Sequence, residues 1–150
     1  MSFRCDTANE QDLPQLVELL GLLFAQEAEF APDAAKQRAA LALILADRGI
    51  GRVYVAREGG RVVAMASLLY TVSTAEGGKA AWLEDMVVLP ELRGRGIGTR
   101  LAEHVIAQAR AEGLARITLL TDADNAPAQR LYGRLGFRAS PMRAMRLKLG

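Results

Sequence analysis

Cysteine and histidine are almost missing from this chain: Cys5 and His104 are the only examples in 150 residues. A disulfide framework needs pairs of Cys, and a Cys/His zinc site needs several ligands, so both are excluded and no metal is expected. Aromatic residues make up only 5% of the chain although 51% of it is apolar. The core must therefore be built from Ala, Leu, Val and Ile. No apolar run reaches the roughly 18 residues needed to span a bilayer, and the N-terminus shows no leader pattern. The sequence reads as cytoplasmic and without membrane association. An excess of charge of one sign is lacking too, since 19 basic and 17 acidic residues leave a net +2. That balance gives no reason to expect nucleic-acid binding, and it suits one small polyanion. Linkers, low-complexity tracts and internal repeats are also absent, and the length suits a single domain over residues 1–150.

What is present switches between two periods. Residues 3–8 suit a short edge strand, and Leu13, Leu16, Val17, Leu20, Leu23 and Phe24 then recur at helical spacing. Asn9, Asp12 and Pro14 are start signals for that helix, and Asp33 caps a second one running to about Ala46. The stretch 52–58 alternates, Gly59-Gly60 is a two-residue turn, and 61–71 continues as the second arm of a hairpin. A third strand, 80–89, ends at Pro90. Ile97, Leu101, Val105 and Ala109 form one helical stripe with Gly113 as its C-cap. A strand over 115–122 and a helix opened by Asn125 and Pro127 follow, and Phe137 to Leu149 reads as one or two closing strands. The order β-α-α-β-β-β-α-β-α-β(β) predicts an α/β fold, a mixed sheet with helices on both faces.

The chemistry concentrates where the third strand runs through Arg93, Gly94, Arg95, Gly96, Ile97, Gly98 and Thr99 into a helix. Such a turn exposes unpaired backbone N–H groups at the positive end of a helix dipole, which makes an anion site. The Walker pattern is absent, because no Gly-Lys-Ser/Thr occurs. The dinucleotide fingerprint fails as well, since Thr99 and Leu101 stand where its last glycine would be.

Arg93-x-x-Gly96-x-Gly98 after an apolar strand resembles the acyl-CoA signature of the GCN5-related N-acetyltransferases, the GNAT superfamily. Asn125-Ala-Pro-Ala-Gln-Arg-Leu-Tyr132-Gly-Arg-Leu-Gly136-Phe137 is similar to that family's last helix and its exit. The resemblance implies acetyl-CoA as co-substrate, a small-molecule amine as acceptor, direct transfer in a ternary complex and, commonly, a homodimer. It implies that the backbone of Met86, Val87 and Val88 bonds the pantetheine arm where the sheet splays, and that residues 93–99 hold the pyrophosphate. It further implies that Asn125, with Ala128 on the same helix, meets the pantetheine, and that Tyr132 meets the thioester sulfur. A CoA-binding regulatory module without turnover and a protein N-terminal or lysine acetyltransferase are the competing possibilities.

Elementary chemistry assigns the roles. An alkylammonium has a pKa near 10.4, so an amine must lose a proton before it attacks a thioester. Glu84 and Asp85 offer adjacent carboxylates whose side chains should face opposite ways on a strand, unless a bulge breaks the count. The similarity to the family's Glu-Asp strand favours Glu84 as the base. The oxyanion wants backbone N–H donors, which the strand near Val87 and Val88 would supply. Tyr132 is the acid for the departing thiolate. Glu27, Glu29 and Asp33 would attract a cationic amine, and Trp82 is either core or a wall of the acceptor pocket. The Leu-Glu-Asp to Arg-Gly-x-Gly-Ile-Gly spacing is similar to the diamine and thialysine acetyltransferase branch, which implies a polyamine or a lysine analogue. His104, Cys5 and the basic residues Arg138, Arg143, Arg146 and Lys148 read as solvated or packing groups.

Overall fold

The computed structural model describes residues 2–27 and 29–150, and the chain divides into two compact units, Met1–Leu119 and Leu120–Gly150. The first unit holds β1 (Arg4–Thr7), α1 (Leu13–Gln26), α2 (Ala34–Ala46), β2 (Gly51–Glu58), β3 (Arg61–Ser73), β4 (Gly78–Val88), α3 (Ile97–Ala111) and β5 (Ile117–Leu119). The second holds α4 (Ala126–Arg134). The five strands lie in the order β1-β2-β3-β4-β5, antiparallel except for the parallel β4–β5 pair. The mixed sheet expected of an α/β fold is formed.

Gly59, with φ 63, turns the β2–β3 hairpin. Alternation along these strands then sends each face to its own helix layer. Leu16, Leu19 and Leu20 of α1 and Leu41 of α2 pack on Val53, Val55, Met65 and Val87. Removing each such leucine from water contributes about 1.5–3 kcal/mol. Tyr54, between Val53 and Val55, faces the other way and meets the His104 ring of α3 edge-on at 5.5 Å. Ile97, Leu101, Ala102, Val105 and Ala109 are the buried stripe of α3 on that second face.

A buried ion pair ties the start of α1 to the sheet. The Arg57 guanidinium donates two hydrogen bonds to Asp12, each 2.7 Å long, and reaches Asp6 of β1 at 3.4 Å. Asp12 Oδ2 also accepts from the Asn9 N–H, closing a capping box ahead of α1.

The closing strands expected over 137–149 are not formed. Among the described residues no strand follows α4, and Met142, Met145, Leu147 and Leu149 are exposed. The alternation of Met145, Leu147 and Leu149 with Arg146 and Lys148 suits a strand, but alternation becomes a strand only when a neighbouring edge supplies its hydrogen bonds.

Candidate active site

Strand β4 changes character at Glu84. Up to Leu83 it is paired on both edges, with Leu68 of β3 opposite Leu83 and Leu119 of β5 on the parallel side. The pairing with β5 ends there. On the β3 side the register slips, so that Ser67 faces Asp85 while Leu68 faces Leu83. Glu84 is the extra residue of a β-bulge, the device that re-aims side chains on a strand.

Beyond the bulge, the edge of β4 that β5 covered pairs with no strand among the described residues of the first unit. Leu89 N–H donates to Val63 C=O across the β3 edge at 2.9 Å. In an antiparallel ladder the backbone groups of alternate residues point the same way. Val87 therefore bonds toward β3, while the N–H and C=O groups of Met86 and Val88 point to the open edge. This corrects the expectation that Met86, Val87 and Val88 all serve there: Val87's amide is committed to the ladder. The open side of Val88 is touched by the turn that follows, because Arg93 Nε donates to Val88 C=O at 3.3 Å.

That turn is pinned by two buried residues, Leu92 and Ile97, with the exposed Arg93, Gly94, Arg95 and Gly96 between them. Gly94 and Gly96 take φ of 83 and 80, the left-handed region that a side chain disfavours. Gly96 is the N-cap of α3 and has no side chain to satisfy the first amides, while Arg100 N–H closes the first turn onto Gly96 C=O. The N–H groups of Ile97, Gly98 and Thr99 thus open outward at the positive helix end. Phe3, Arg95, Gly96, Thr99 and Arg100 line an open hollow of about 650 Å³ beside them. The Arg100 guanidinium lies over the Phe3 ring at 4.5 Å. Phe3 and Arg100 were not singled out by the sequence reading; a helix-spaced Arg one turn after the glycines was the available signal.

The two carboxylates at the bulge differ. Glu84 is exposed, whereas Asp85 is half-buried beside the fully buried Ser67. Ser67 Oγ donates to Asp85 Oδ2 at 2.8 Å and accepts from Asp85 N–H at 3.1 Å. Burial pushes the Asp85 carboxyl up to about 6, with the Ser67 hydroxyl pulling it down and the Glu84 charge pushing it further up. Ser67 was missed in the sequence, where its signal was a single hydroxyl inside the apolar run 62–69.

The residues expected to touch the acceptor are placed as follows. Glu27 is the half-buried C-cap of α1 and Glu29 is exposed; both flank Ala28, which lies outside the described residues. Asp33 accepts from Lys36 N–H as the N-cap of α2, which occupies its carboxylate. Trp82 is 38% exposed and is not core. Among the described residues no cluster of His, Cys, Asp and Glu is arranged to hold a metal.

In the second unit, Asn125 is the N-cap of α4, accepting from Ala128 N–H at 3.2 Å. Tyr132 packs edge-on against Phe137 at 5.6 Å, and its C=O accepts from Phe137 N–H, which follows the left-handed Gly136 at φ 101. Burial pushes the Tyr132 phenol up to about 12.

The comparisons with known proteins agree with this geometry. The Acetyltransferase (GNAT) family pattern matches residues 14–137. Glucosamine 6-phosphate N-acetyltransferase of Trypanosoma brucei brucei is 34% identical over 142 residues, which is 93% of this chain and 91% of that protein. Thialysine N-epsilon-acetyltransferase of Mus musculus is 34% identical over 77 residues, 51% of this chain and 45% of that enzyme. Among solved structures, an integron cassette protein from the mobile metagenome of Cole Harbour Salt Marsh superposes with a TM-score of 0.85 at 27% identity, covering 97% of this chain and 90% of that one. An acetyltransferase of Trypanosoma brucei gives a TM-score of 0.75 at 31% identity, covering 99% and 100%. Because the family match begins in α1 and runs through the parted strand and the glycine turn to Phe137, this chain belongs to the acetyltransferase (GNAT) family and is an acetyl-transfer enzyme.

Proposed function

We propose that the protein moves the acetyl group of acetyl-CoA to the primary amine of a small molecule by direct attack. The observation that carries this is the parting of β4 from β5 at Leu83, which leaves the Met86 backbone and the Val88 N–H open just ahead of the glycine turn and its amide-lined helix end. An extended pantetheine arm adds to such an edge as a strand would. The amides of Ile97, Gly98 and Thr99, with Arg95 on the same turn, suit a pyrophosphate. The N–H of Met86 or Val88 suits the thioester oxygen as it becomes an oxyanion.

The incoming ammonium must give up its proton to a carboxylate of the Glu84–Asp85 pair, and the family motif aligns Glu84 with that role. From the same motif we assign Asn125 and Ala128 to the pantetheine and Tyr132 to the sulfur. With its pKa near 12, Tyr132 stays protonated at neutral pH. A thiol titrates near 8.5, so complete transfer from this phenol would be disfavoured by a factor of roughly 10³. We assign it a hydrogen bond to the developing thiolate, which then takes its proton from buffered solvent.

For the acceptor, the relative that matches nearly the whole chain acts on glucosamine 6-phosphate, which supports an amino sugar phosphate. A small cationic amine is the second reading. It is favoured by the acidic Glu27 and Glu29 after α1 and by the partial match to a thialysine acetyltransferase. Thiol release from acetyl-CoA should be measured with glucosamine 6-phosphate, spermidine, thialysine, an aminoglycoside and a peptide N-terminus. The proposal expects a small-molecule amine to give the highest kcat/KM. Preference for the peptide, or no release with any amine, refutes it.

A further inference from the structure

Asp85 lies two residues after Leu83, the last residue of β4 that β5 covers, and immediately before Met86, whose backbone groups point to the edge that β5 no longer covers. Its side chain shares the α1 face with Val87, because Asp85 pairs with Ser67 as Val87 pairs with Met65. One carboxylate oxygen is fixed by the Ser67 hydroxyl, and among the described residues the other has no hydrogen-bond partner. A half-buried carboxylate with one oxygen clamped and the other without a protein partner is held ready to receive a proton.

We propose that Asp85, oriented by Ser67, accepts the proton of the attacking amine, rather than the exposed Glu84. This rests on the acetyl-transfer reading above and names the group that the reading leaves between two neighbours. In the step, the N–H bond of the substrate ammonium breaks and an O–H bond forms on Asp85 as the nitrogen lone pair attacks the thioester carbon. The C–S bond then breaks as the nitrogen gives its second proton to water, the sulfur leaves as thiolate and takes a proton from solvent, and Asp85 returns its proton to solvent.

A base of pKa about 6 lies nearer to neutral pH than an ordinary carboxylate, and so accepts a proton more effectively while still being ionised at pH 7. The surrounding groups allow this assignment. On β4 the charged neighbour is Glu84, and Lys79 lies at the other end of the strand. The ionisable residues of β3, Arg61 and Tyr70, flank the Val62–Leu69 segment that holds Ser67, and β5 has none. Of the two helices packed on that face, α1 has the exposed Glu18 as its single titratable residue and α2 has Lys36 and Arg38, both exposed. Arg100, Glu103, His104 and Arg110 belong to α3, on the opposite face.

The test is the pH dependence of kcat/KM at saturating acetyl-CoA, using glucosamine 6-phosphate or whichever amine of the panel gives the highest wild-type value. The wild type should lose activity as pH falls through about 6. Asp85→Asn should lower kcat by about 10²–10⁴ and abolish that acid limb, whereas Glu84→Gln should keep it. Ser67→Ala removes a bond that stabilises the charged carboxylate, so its acid limb should move to higher pH, and Ser67→Thr should restore the wild-type position. Acetyl-CoA binding followed by thermal shift confirms that each variant is folded. If Asp85→Asn keeps both rate and limb while Glu84→Gln loses them, or if Ser67→Ala leaves the limb unmoved, the assignment is wrong and acetyl transfer stands. Silence of the wild type toward every amine instead refutes the reading beneath it, and this assignment with it.

Discussion

Replacing Gly96 by Ala separates the two properties that the turn at the start of α3 combines. The first is conformational. Gly96 sits at φ 80, and a Cβ built there meets no atom within 4 Å. The variant therefore has no clash to relieve, only the left-handed backbone cost of about 1–2 kcal/mol that an L side chain carries. At this chain length each kcal/mol moves Tm by about 2–4 °C, so the free variant should melt about 2–8 °C below the parent. The second property is the empty space itself, which lies where, on the proposed reading, the pyrophosphate approaches the amides of Ile97, Gly98 and Thr99. A methyl group there holds the phosphates away from those donors. Acetyl-CoA at 100 times its Kd should stabilise the parent by about 2.7 kcal/mol, which is about 5–11 °C by the same scaling. The variant should show almost none of that shift. Gly113→Ala is the control: it also sits at positive φ, 75, with no atom within 4 Å, but follows the far end of α3. It should lose comparable stability and keep the full acetyl-CoA shift. Differential scanning fluorimetry gives both numbers, and titration calorimetry gives the Kd. If Gly96→Ala binds acetyl-CoA as tightly as the parent, the turn does not hold the pyrophosphate.

Further outcomes follow from individual contacts. Asp12→Asn leaves the Arg57 guanidinium buried with only Asp6 to pair with, and breaking such a pair costs about 3–5 kcal/mol, so Tm should fall by at least about 6 °C at pH 7. The hydrogen bonds from Arg57 hold the Asp12 carboxyl below its ordinary range, so its stabilisation is present above the unfolded value near 3.9 and lost as pH falls through the lower folded value. The gap between parent and Asp12→Asn should thus close in melts at strongly acid pH, and a gap that persists there would assign the loss to packing instead. Tyr132→Phe should keep acetyl-CoA binding and lower kcat by up to about 10²-fold, the lower end for a group that assists without full proton transfer; an unchanged kcat makes Tyr132 a packing residue. Glu27→Gln together with Glu29→Gln should raise KM for spermidine and leave KM for glucosamine 6-phosphate unchanged, and an unchanged KM for spermidine removes the acidic-pocket reading.

The sequence by itself determined the local events of this protein. Glycine at 59, 94 and 96 is demanded by positive φ, Asp33 and Asn125 cap the helices they precede, and the switch from period 3.6 to period 2 marks the helices and hairpin strands. These depend on neighbours a few residues apart, so they survive without knowledge of the fold. The glycine turn proposed to hold the pyrophosphate was legible for the same reason: strand, glycines and helix start are contiguous. What only the tertiary structure decided involves partners far apart in the chain. Alternation alone put Glu84 on the face of Met86 and Val88; the slip against Ser67 makes Glu84 a bulge and sets Asp85, 18 residues from Ser67 in the chain, as the half-buried carboxylate bonded to its hydroxyl. Val87 is excluded from the open edge because its amide belongs to the β3 ladder, and ladder phase is fixed by register rather than by composition. The alternating tail after α4 marks the same limit from the other side, since residues 145–149 have the pattern of a strand and form none among the described residues: alternation by itself supplies no hydrogen-bond partner.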